Sequence, residues 1–500
     1  MKKLIRINPL DNVAVALVDL TAGESCIIDQ DLMVAISENI SRGHKFAITE
    51  IKAHENIIKY GSPIGHALST IKSGAWVHNH NVKTNLSDVN DYSYQPQFNI
   101  APAKIEARTF AGYGRADGRV GIRNELWIIP TVGCVNGIAN QIRDKFLAQL
   151  GGAGQLLNVD CINVLAHNYG CSQLGDDHIN TRTILAAAAK HPNCGGALIV
   201  GLGCENNTIR EFIAQLGEFD DKRIKYFVTQ EVSDELAEGV ELLSKIYREI
   251  SNDQRQPRPL SDLRIGLKCG ASDGLSGITA NPLVGAFSDY IVANGGVTVL
   301  TEVPEMFGAE HLLMQRAANE AVFTQIVELI NDFKYYFIKH QQPVYENPSP
   351  GNKAGGISTL EDKSLGCTQK AGSAKVAAVL KYGQQITTSG LNLLSAPGND
   401  LVASSALAAS GCQMVLFTTG RGTPFGSIVP TVKIATNSRI AGLKPQWIDF
   451  NAGCLVEDAD FDKLVAQFID YLLVVASGQL VNNEKNNARE LAIFKTGVTL

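Results

Sequence analysis

The stretch ELWIIPTVGCVNGIANQIRDKFLAQ, residues 125–149, decides the fold class. Its first part, ELWIIPTVG (125–133), is almost continuously apolar, the pattern of a strand buried on both faces. Its second part reads as a helix near 137–149. The same pairing recurs in ALIVGLG (197–203) with a helix near 207–217, and in KYFVTQ (225–230) with a helical run from Ser233 to about Ile250. RIGLKCG, VTVLTEV, LNLLSA and MVLFTTG carry the alternation into the C-terminal half. Alternating strand and helix predicts α/β layers with mainly parallel sheets.

The chain ahead of this pattern is different. VAVALV (13–18) alternates, and Gly23, Gly43, Gly61, Gly65 and Gly74 punctuate short strands, which predicts a small β-rich module. It ends in a polar run, TNLSDVNDYSYQPQ (84–97). The expected organisation is a β-rich domain over 1–86, a linker over 87–108, an α/β domain over 109–255 and a C-terminal α/β domain over 256–500. SNDQRQPRPLSD (251–262), polar and proline-bearing, is a second linker candidate. ENPSPGNKAGGISTLEDKSLGCTQKAG (346–372) predicts a long irregular loop that forms or covers a site, with Lys353, Lys363 and Lys370 as its cations.

Composition narrows the function. With 500 residues, 45% hydrophobic and 19% charged, the chain has ample core material and is not disordered. Its net charge of −6 makes it a poor general nucleic-acid binder, and an anionic substrate would need a local cluster of Arg or Lys. No apolar run reaches the roughly 20 residues of a membrane span, and the start, MKKLIRINPLDN, is cut too early by polar residues for a signal peptide. A cytoplasmic protein is expected. None of the ten cysteines forms a C-x-x-C pair, so they are expected to be thiols. Five of them, Cys134, Cys171, Cys204, Cys269 and Cys367, sit beside a glycine at a strand-to-loop edge, where sites are built.

Several constellations could carry chemistry. In HNHNVKT (78–84), an extended strand would point His78 and His80 the same way, toward one metal ion, with Lys83 and Thr84 close by. GYGRADGRVGIRN places Arg115, Arg119 and Arg123 among glycines, which predicts a loop that captures a carboxylate. His167 and Asn168 open HNYGC after an apolar run, and His167 there is a candidate base. GCENN (203–207), CGASDGLSG (269–277) with Ser276, Thr301 with Glu302 and Glu305, and TTGRGT (418–423) with Arg421 also follow strands. Together these clusters suggest the carboxyl-end crevice of a parallel sheet. Neither a dinucleotide fingerprint nor a phosphate loop is present.

The segments VHNHNVKT, GYGRADGRVGIRNELWIIPTVGCVN, HNYGC, GLGCENN, KCGASDGLSGITANP, TEVPEMFGAE, GNKAGGISTLEDKSLGCTQKAG, APGND, TTGRGTPFGSIVPTVKIATN and DFNAG, in this order, resemble the altronate/galactarate dehydratase family, most closely its altronate members. The first module resembles the SAF domain of these enzymes. The resemblance implies a hydro-lyase of bacterial hexuronate breakdown that dehydrates a six-carbon sugar acid. For the altronate members the reaction takes D-altronate to 2-dehydro-3-deoxy-D-gluconate and water. It also implies a divalent metal, Fe2+, with Mn2+ as the alternative.

Such a reaction removes a weakly acidic C2 proton and expels the C3 hydroxyl, so it calls for an acid/base pair, a metal and a carboxylate clamp. The candidates are His78 and His80 for the metal and His167, Glu302 and Lys353 for acid/base work. Lys83, Arg115, Arg119, Arg123, Asn168, Ser276 and Arg421 are the candidates for substrate binding. Galactarate dehydration is the nearest alternative, and a non-catalytic sugar-acid-binding relative is the alternative of a different class. The expected partner is a small-molecule sugar acid, with no nucleic acid and no membrane, and the expected assembly is a homo-oligomer.

Overall fold

The computed structural model of the chain describes residues 2–29, 32–86, 89, 92–98, 100 and 105–499. Part of the expected linker over 87–108 therefore lies outside the described residues.

The first module is built of short antiparallel strands. Val13–Ala16 is flanked by Leu4–Ile5 and Lys45–Ala47, and Trp76–Val77 closes that sheet. Ser62–Ala67 pairs with Asn56–Lys59 on one side and Val82–Lys83 on the other. The inward residues, Val13, Ile57, Ile64 and Val77 among them, form one small core. That core is shared with Ala309 and Leu365 of the C-terminal half, so the module is docked by burial and not tethered by a linker alone.

The middle unit carries a four-stranded parallel sheet in the order Ile162–Val164, Glu125–Pro130, Cys194–Gly201, Ile224–Val228. Glu125–Pro130 and Cys194–Gly201 are buried at every position, as a strand covered on both faces must be. Asn136–Gln149 and Glu235–Ile250 pack on one face through Ile142, Phe146, Leu243 and Ile246. Gly175–Ala189 and Ile209–Leu216 cover the other face. That second core also takes in Leu407 and Val415, so the two α/β units share a core.

The C-terminal unit is a seven-stranded, all-parallel sheet. Its order is Val376–Leu380, Gly390–Leu394, Val297–Leu300, Arg264–Cys269, Met414–Thr419, Thr431–Ala435, Phe450–Asn451. The chain leaves Arg264–Cys269 toward Val297–Leu300 on one side, and returns to lay Met414–Thr419 on the other. The crevice at the carboxyl ends of those strands is therefore a topological switch point, where α/β folds bind ligands.

Two local expectations fail for physical reasons, and a third holds in part. The segment near 251–262 is not a free linker: Gln256–Pro259 pairs antiparallel with Thr109–Gly114, placing Phe110 opposite Arg258. Pro257 and Pro259 are tolerated because that strand is the edge of its three-stranded ribbon. The arginine-bearing stretch is a tight hairpin, in which Thr109–Gly114 pairs with Val120–Gly121; Arg115 and Arg119 lie in its turn and Arg123 lies just beyond it. Finally, 346–372 is largely helical and buried: Pro350–Ala354 and Leu360–Cys367 are α-helices and Thr368–Ala371 is a 3-10 turn. Ser349 and Thr359 cap the two helices, a signal masked by the surrounding glycines.

No helix among the described residues is long and apolar enough to cross a membrane.

Candidate active site

Three elements converge at the switch point. Arg264–Cys269 ends in Lys268 and Cys269. The strand Val297–Leu300 runs into Glu302, then into the 3-10 turn Val303–Met306 that carries Glu305. The helix Leu360–Cys367 presents Lys363 and Cys367, four residues apart and so on one face, and Lys370 follows in the next turn.

Cys269 Sγ lies 3.4 Å from Cys367 Sγ, and the two thiols lie 3.1 and 3.2 Å from Glu305 Oε2. Both cysteines and Glu305 are buried. Among the described residues this is the one group of three whose donor atoms lie within 4.8 Å of one another in metal-ligand fashion. Two thiolates and a carboxylate can hold a divalent ion, and the soft donors suit iron or zinc better than manganese.

A buried charge network surrounds the triad. Lys363 Nζ donates to Glu305 Oε1 at 2.7 Å. Lys268 Nζ donates to Glu302 Oε1 and to Asp400 Oδ1, each at 2.7 Å, and Lys370 lies 3.5 Å from Glu302 Oε2. Glu302 sits at φ 68°, a left-handed conformation that a side chain rarely adopts. The kink lets its carboxylate also accept the Cys269 N–H at 2.9 Å. Burial alone would raise the Glu305 carboxyl, but Lys363, Lys370 and Lys268 outweigh it and hold the group at about 2. Glu302 goes the other way, raised by burial and then by the charge of Glu305. The Cys367 thiol is raised by its hydrogen bond with Cys269 and by burial. Lys363 stays protonated, because Glu305 and the two thiols outweigh the cost of burial. Three ammonium groups thus face three carboxylates, and the network offers an arriving anion no surplus positive charge.

A cavity of ≈ 480 Å³ opens over this network. Cys269, Glu305, Lys363, Asp400, Asn347 and Asn352 form its polar side, and Phe333, Tyr336 and Phe337 form an apolar wall. The Asp400 side chain, 34% exposed, is the carboxylate that solvent reaches. Its volume suits a small organic ligand.

Of the residues singled out in the sequence, Glu302, Glu305, Cys269, Cys367, Lys363 and Lys370 belong to the triad and its network. Most of the others do not. His78 and His80 lie in a turn, not an extended strand, so the alternation argument for their pairing does not apply. His78 is buried and stacked on Trp76 with Nδ1 unpartnered, while His80 is exposed. His167 is engaged at both ring nitrogens by backbone: Nε2 lies 2.8 Å from Pro130 O, and Nδ1 accepts the Tyr169 N–H. That leaves it no free nitrogen for a base. Asn168 is exposed on the same loop.

The three hairpin arginines are saturated by the protein. Arg115 binds Asp253, Asn124 and two carbonyls, and Arg119 binds Asp117 and the Lys190 carbonyl. Arg123, fully buried, forms a bidentate pair with Glu484 and donates to the Ile122, Val475 and Gln479 carbonyls. They tie segments together and do not line the cavity. Ser276 closes a turn with Asp273, Lys83 is exposed on an edge strand, and Lys353 is half-buried outside the cavity. Arg421 lines a separate cleft of ≈ 400 Å³ with Arg42 and Arg439.

Lys268 and Asp400 were the residues that the sequence left without a role, while Lys363 and Lys370 stood only as cations of the expected 346–372 loop. The glycine-adjacent positions of Cys269 and Cys367 were the visible signal, and their pairing across 98 residues was not.

Residues 260–499 match the family model described as D-galactarate/Altronate dehydratase, C-terminal. Residues 112–251 match D-galactarate dehydratase/Altronate hydrolase, second domain, and residues 2–85 match the Altronate/galactarate dehydratase SAF domain. The chain is 60% identical to an altronate dehydratase of Bacillus subtilis, over 100% of both chains. It is 58% identical to an altronate dehydratase of Escherichia coli, over 99% of both. A galactarate dehydratase (L-threo-forming) of Escherichia coli is 32% identical, over 98% of this chain and 96% of that one.

Proposed function

This chain belongs to the altronate/galactarate dehydratase family, and from that premise we propose that it dehydrates D-altronate to 2-dehydro-3-deoxy-D-gluconate at the switch-point crevice. The observation that carries the placement is the triad of Cys269, Glu305 and Cys367, of which Cys269 and Glu305 line a cavity of ≈ 480 Å³. High identity over the whole chain to two altronate dehydratases favours altronate over the diacid galactarate.

Cys269, Cys367 and Glu305 would hold the metal, for which we favour Fe2+. Bound there, a divalent ion would supply the positive charge that an enediolate needs. The charge balance of the surrounding network supports this need, since three lysines are cancelled by three carboxylates. Asp400 is the carboxylate that the cavity exposes, and we assign it the C2 proton. Lys268, at 2.7 Å, holds its carboxylate in place and connects it to Glu302. Lys363, held protonated, offers a proton to the departing C3 hydroxyl. Asn347, already within reach of Lys363, presents its amide to the sugar hydroxyls. The wall of Phe333, Tyr336 and Phe337 keeps bulk water from the acidified C2 position. Ten free cysteines and a sugar-acid substrate fit a cytoplasmic enzyme of hexuronate breakdown.

The test is a panel of hexonates and hexarates, assayed for 2-keto-3-deoxy product after chelation and after return of ferrous iron. D-altronate should be the best substrate, and activity should return with iron. Full activity in rigorously metal-free protein, or preference for a hexarate, contradicts the proposal.

A further inference from the structure

Cys134, Cys171 and Cys204 are the exposed cysteines of this chain; the other seven are buried or intermediate. Cysteine is among the residues most often buried, so three exposed thiols call for an explanation. All three follow strands of the middle sheet: Cys134 follows Glu125–Pro130, Cys171 follows Ile162–Val164 and Cys204 follows Cys194–Gly201. Those strands are adjacent and parallel, so the three loops share one carboxyl edge, the ligand-binding edge of such sheets.

The loops are built into each other. The Gly133 N–H donates to Tyr169 O at 2.9 Å, and the Asn207 N–H donates to Gly170 O at 2.9 Å. Asn136 Nδ2 donates to His167 O at 2.7 Å, and Asn207 Nδ2 donates to Thr131 O at 3.0 Å. The glycine beside Cys171 is required by this contact: Gly170 has φ +99°, and a Cβ there would lie 2.1 Å from Thr131 O. Gly133, beside Cys134, is equally confined, with a Cβ position 2.7 Å from His167 O. His167 locks the central loop through both ring nitrogens. The backbone thus holds the three cysteine-bearing loops side by side at one edge.

We infer that this edge binds an iron–sulfur cluster through Cys134, Cys171 and Cys204, a metal centre separate from the triad at Cys269. Thiolates select iron–sulfur clusters and other soft centres. The three sulfurs do not close to within 4.8 Å of one another as the Cys269 group does, so they do not form a ready single-ion site. A polynuclear cluster is held at its corners and does not need its ligand sulfurs that close together. A four-iron cluster takes four ligands, so three cysteines leave one iron open to an oxygen donor such as a hydroxy-carboxylate.

The test is anaerobic reconstitution of the full chain with iron and sulfide, followed by desalting and measurement of bound iron, acid-labile sulfide and visible charge-transfer absorption. About four iron and four sulfide per chain are expected beyond any ion at the triad. The Cys134→Ser, Cys171→Ser and Cys204→Ser variants should each lose the sulfide and the absorption while keeping the wild-type circular dichroism. Cys454→Ser, a control elsewhere, and Cys269→Ser should keep both, which separates this site from the triad. Iron bound without sulfide, or a triple variant that retains the wild-type sulfide content, would overturn the inference.

Discussion

Asp362 and Lys363 are consecutive on one helix and serve opposite sides of it. The Asp362 carboxylate takes Lys45 and Lys59 of the N-terminal module, each at 2.9 Å, while Lys363 reaches Glu305 at 2.7 Å. All of these side chains are buried. Docking of the first module therefore fixes the helix that presents Lys363 and Cys367 to the crevice.

The first prediction tests that linkage. Asp362→Ala leaves two buried ammonium groups without a counter-charge, which should cost about 3–5 kcal/mol. Denaturant unfolding should show the loss, and hydrogen exchange should rise over residues 44–60. Unchanged exchange in that module would separate docking from Asp362.

Lys363 should be irreplaceable in the chemistry. Lys363→Met should cut kcat by about 100-fold or more, the usual worth of a positioned acid. Lys363→Arg should not rescue it, because a planar guanidinium cannot occupy the compact buried ammonium site. Steady-state kinetics on folded variants decides this. A variant changed only in KM would make Lys363 a binding group.

Arg123 is expected to act on stability. Arg123→Ala strips Glu484 of its buried bidentate partner and should lower stability by about 3–5 kcal/mol. The KM of folded protein should hold. A raised KM at unchanged stability would return Arg123 to the substrate.

Asp449 gives the stability a pH signature. Burial raises its carboxyl to about 6, against backbone donors at Lys433 and Asn482. The native state therefore keeps a proton that the unfolded chain, near 3.8, has lost. This group's contribution is present below pH 3.8 and is lost as pH rises through about 6. Asp449→Asn should remove that dependence, so the stability difference between wild type and variant should change between pH 4 and 7 in favour of the variant at the higher pH. A constant difference would rule the shift out.

The sequence disclosed the layers because a strand buried on both faces has one signature, as in ELWIIP and CGGALIVG, and that signature survives any topology. It disclosed the crevice in outline because polar residues gathered at strand ends. It misled at the arginines, since a guanidinium bound to protein carbonyls and one awaiting a substrate look alike in a chain of letters. The 346–372 segment hid two helices behind helix-breaking glycines, because its burial against the first module and the switch point overrides local propensity. Glu305, Lys363 and Cys367 meet only through long-range packing, which no local spacing encodes.

The most direct test of the account is a crystal structure of the metal-loaded protein soaked with D-altronate, with anomalous scattering used to place the ion. The account predicts one ion on Cys269, Cys367 and Glu305, with the sugar acid in the adjoining cavity between Lys363 and Asp400. An ion at His78, or a sugar acid seated in the cleft of Arg42, Arg421 and Arg439 with the Cys269 crevice empty, would contradict it.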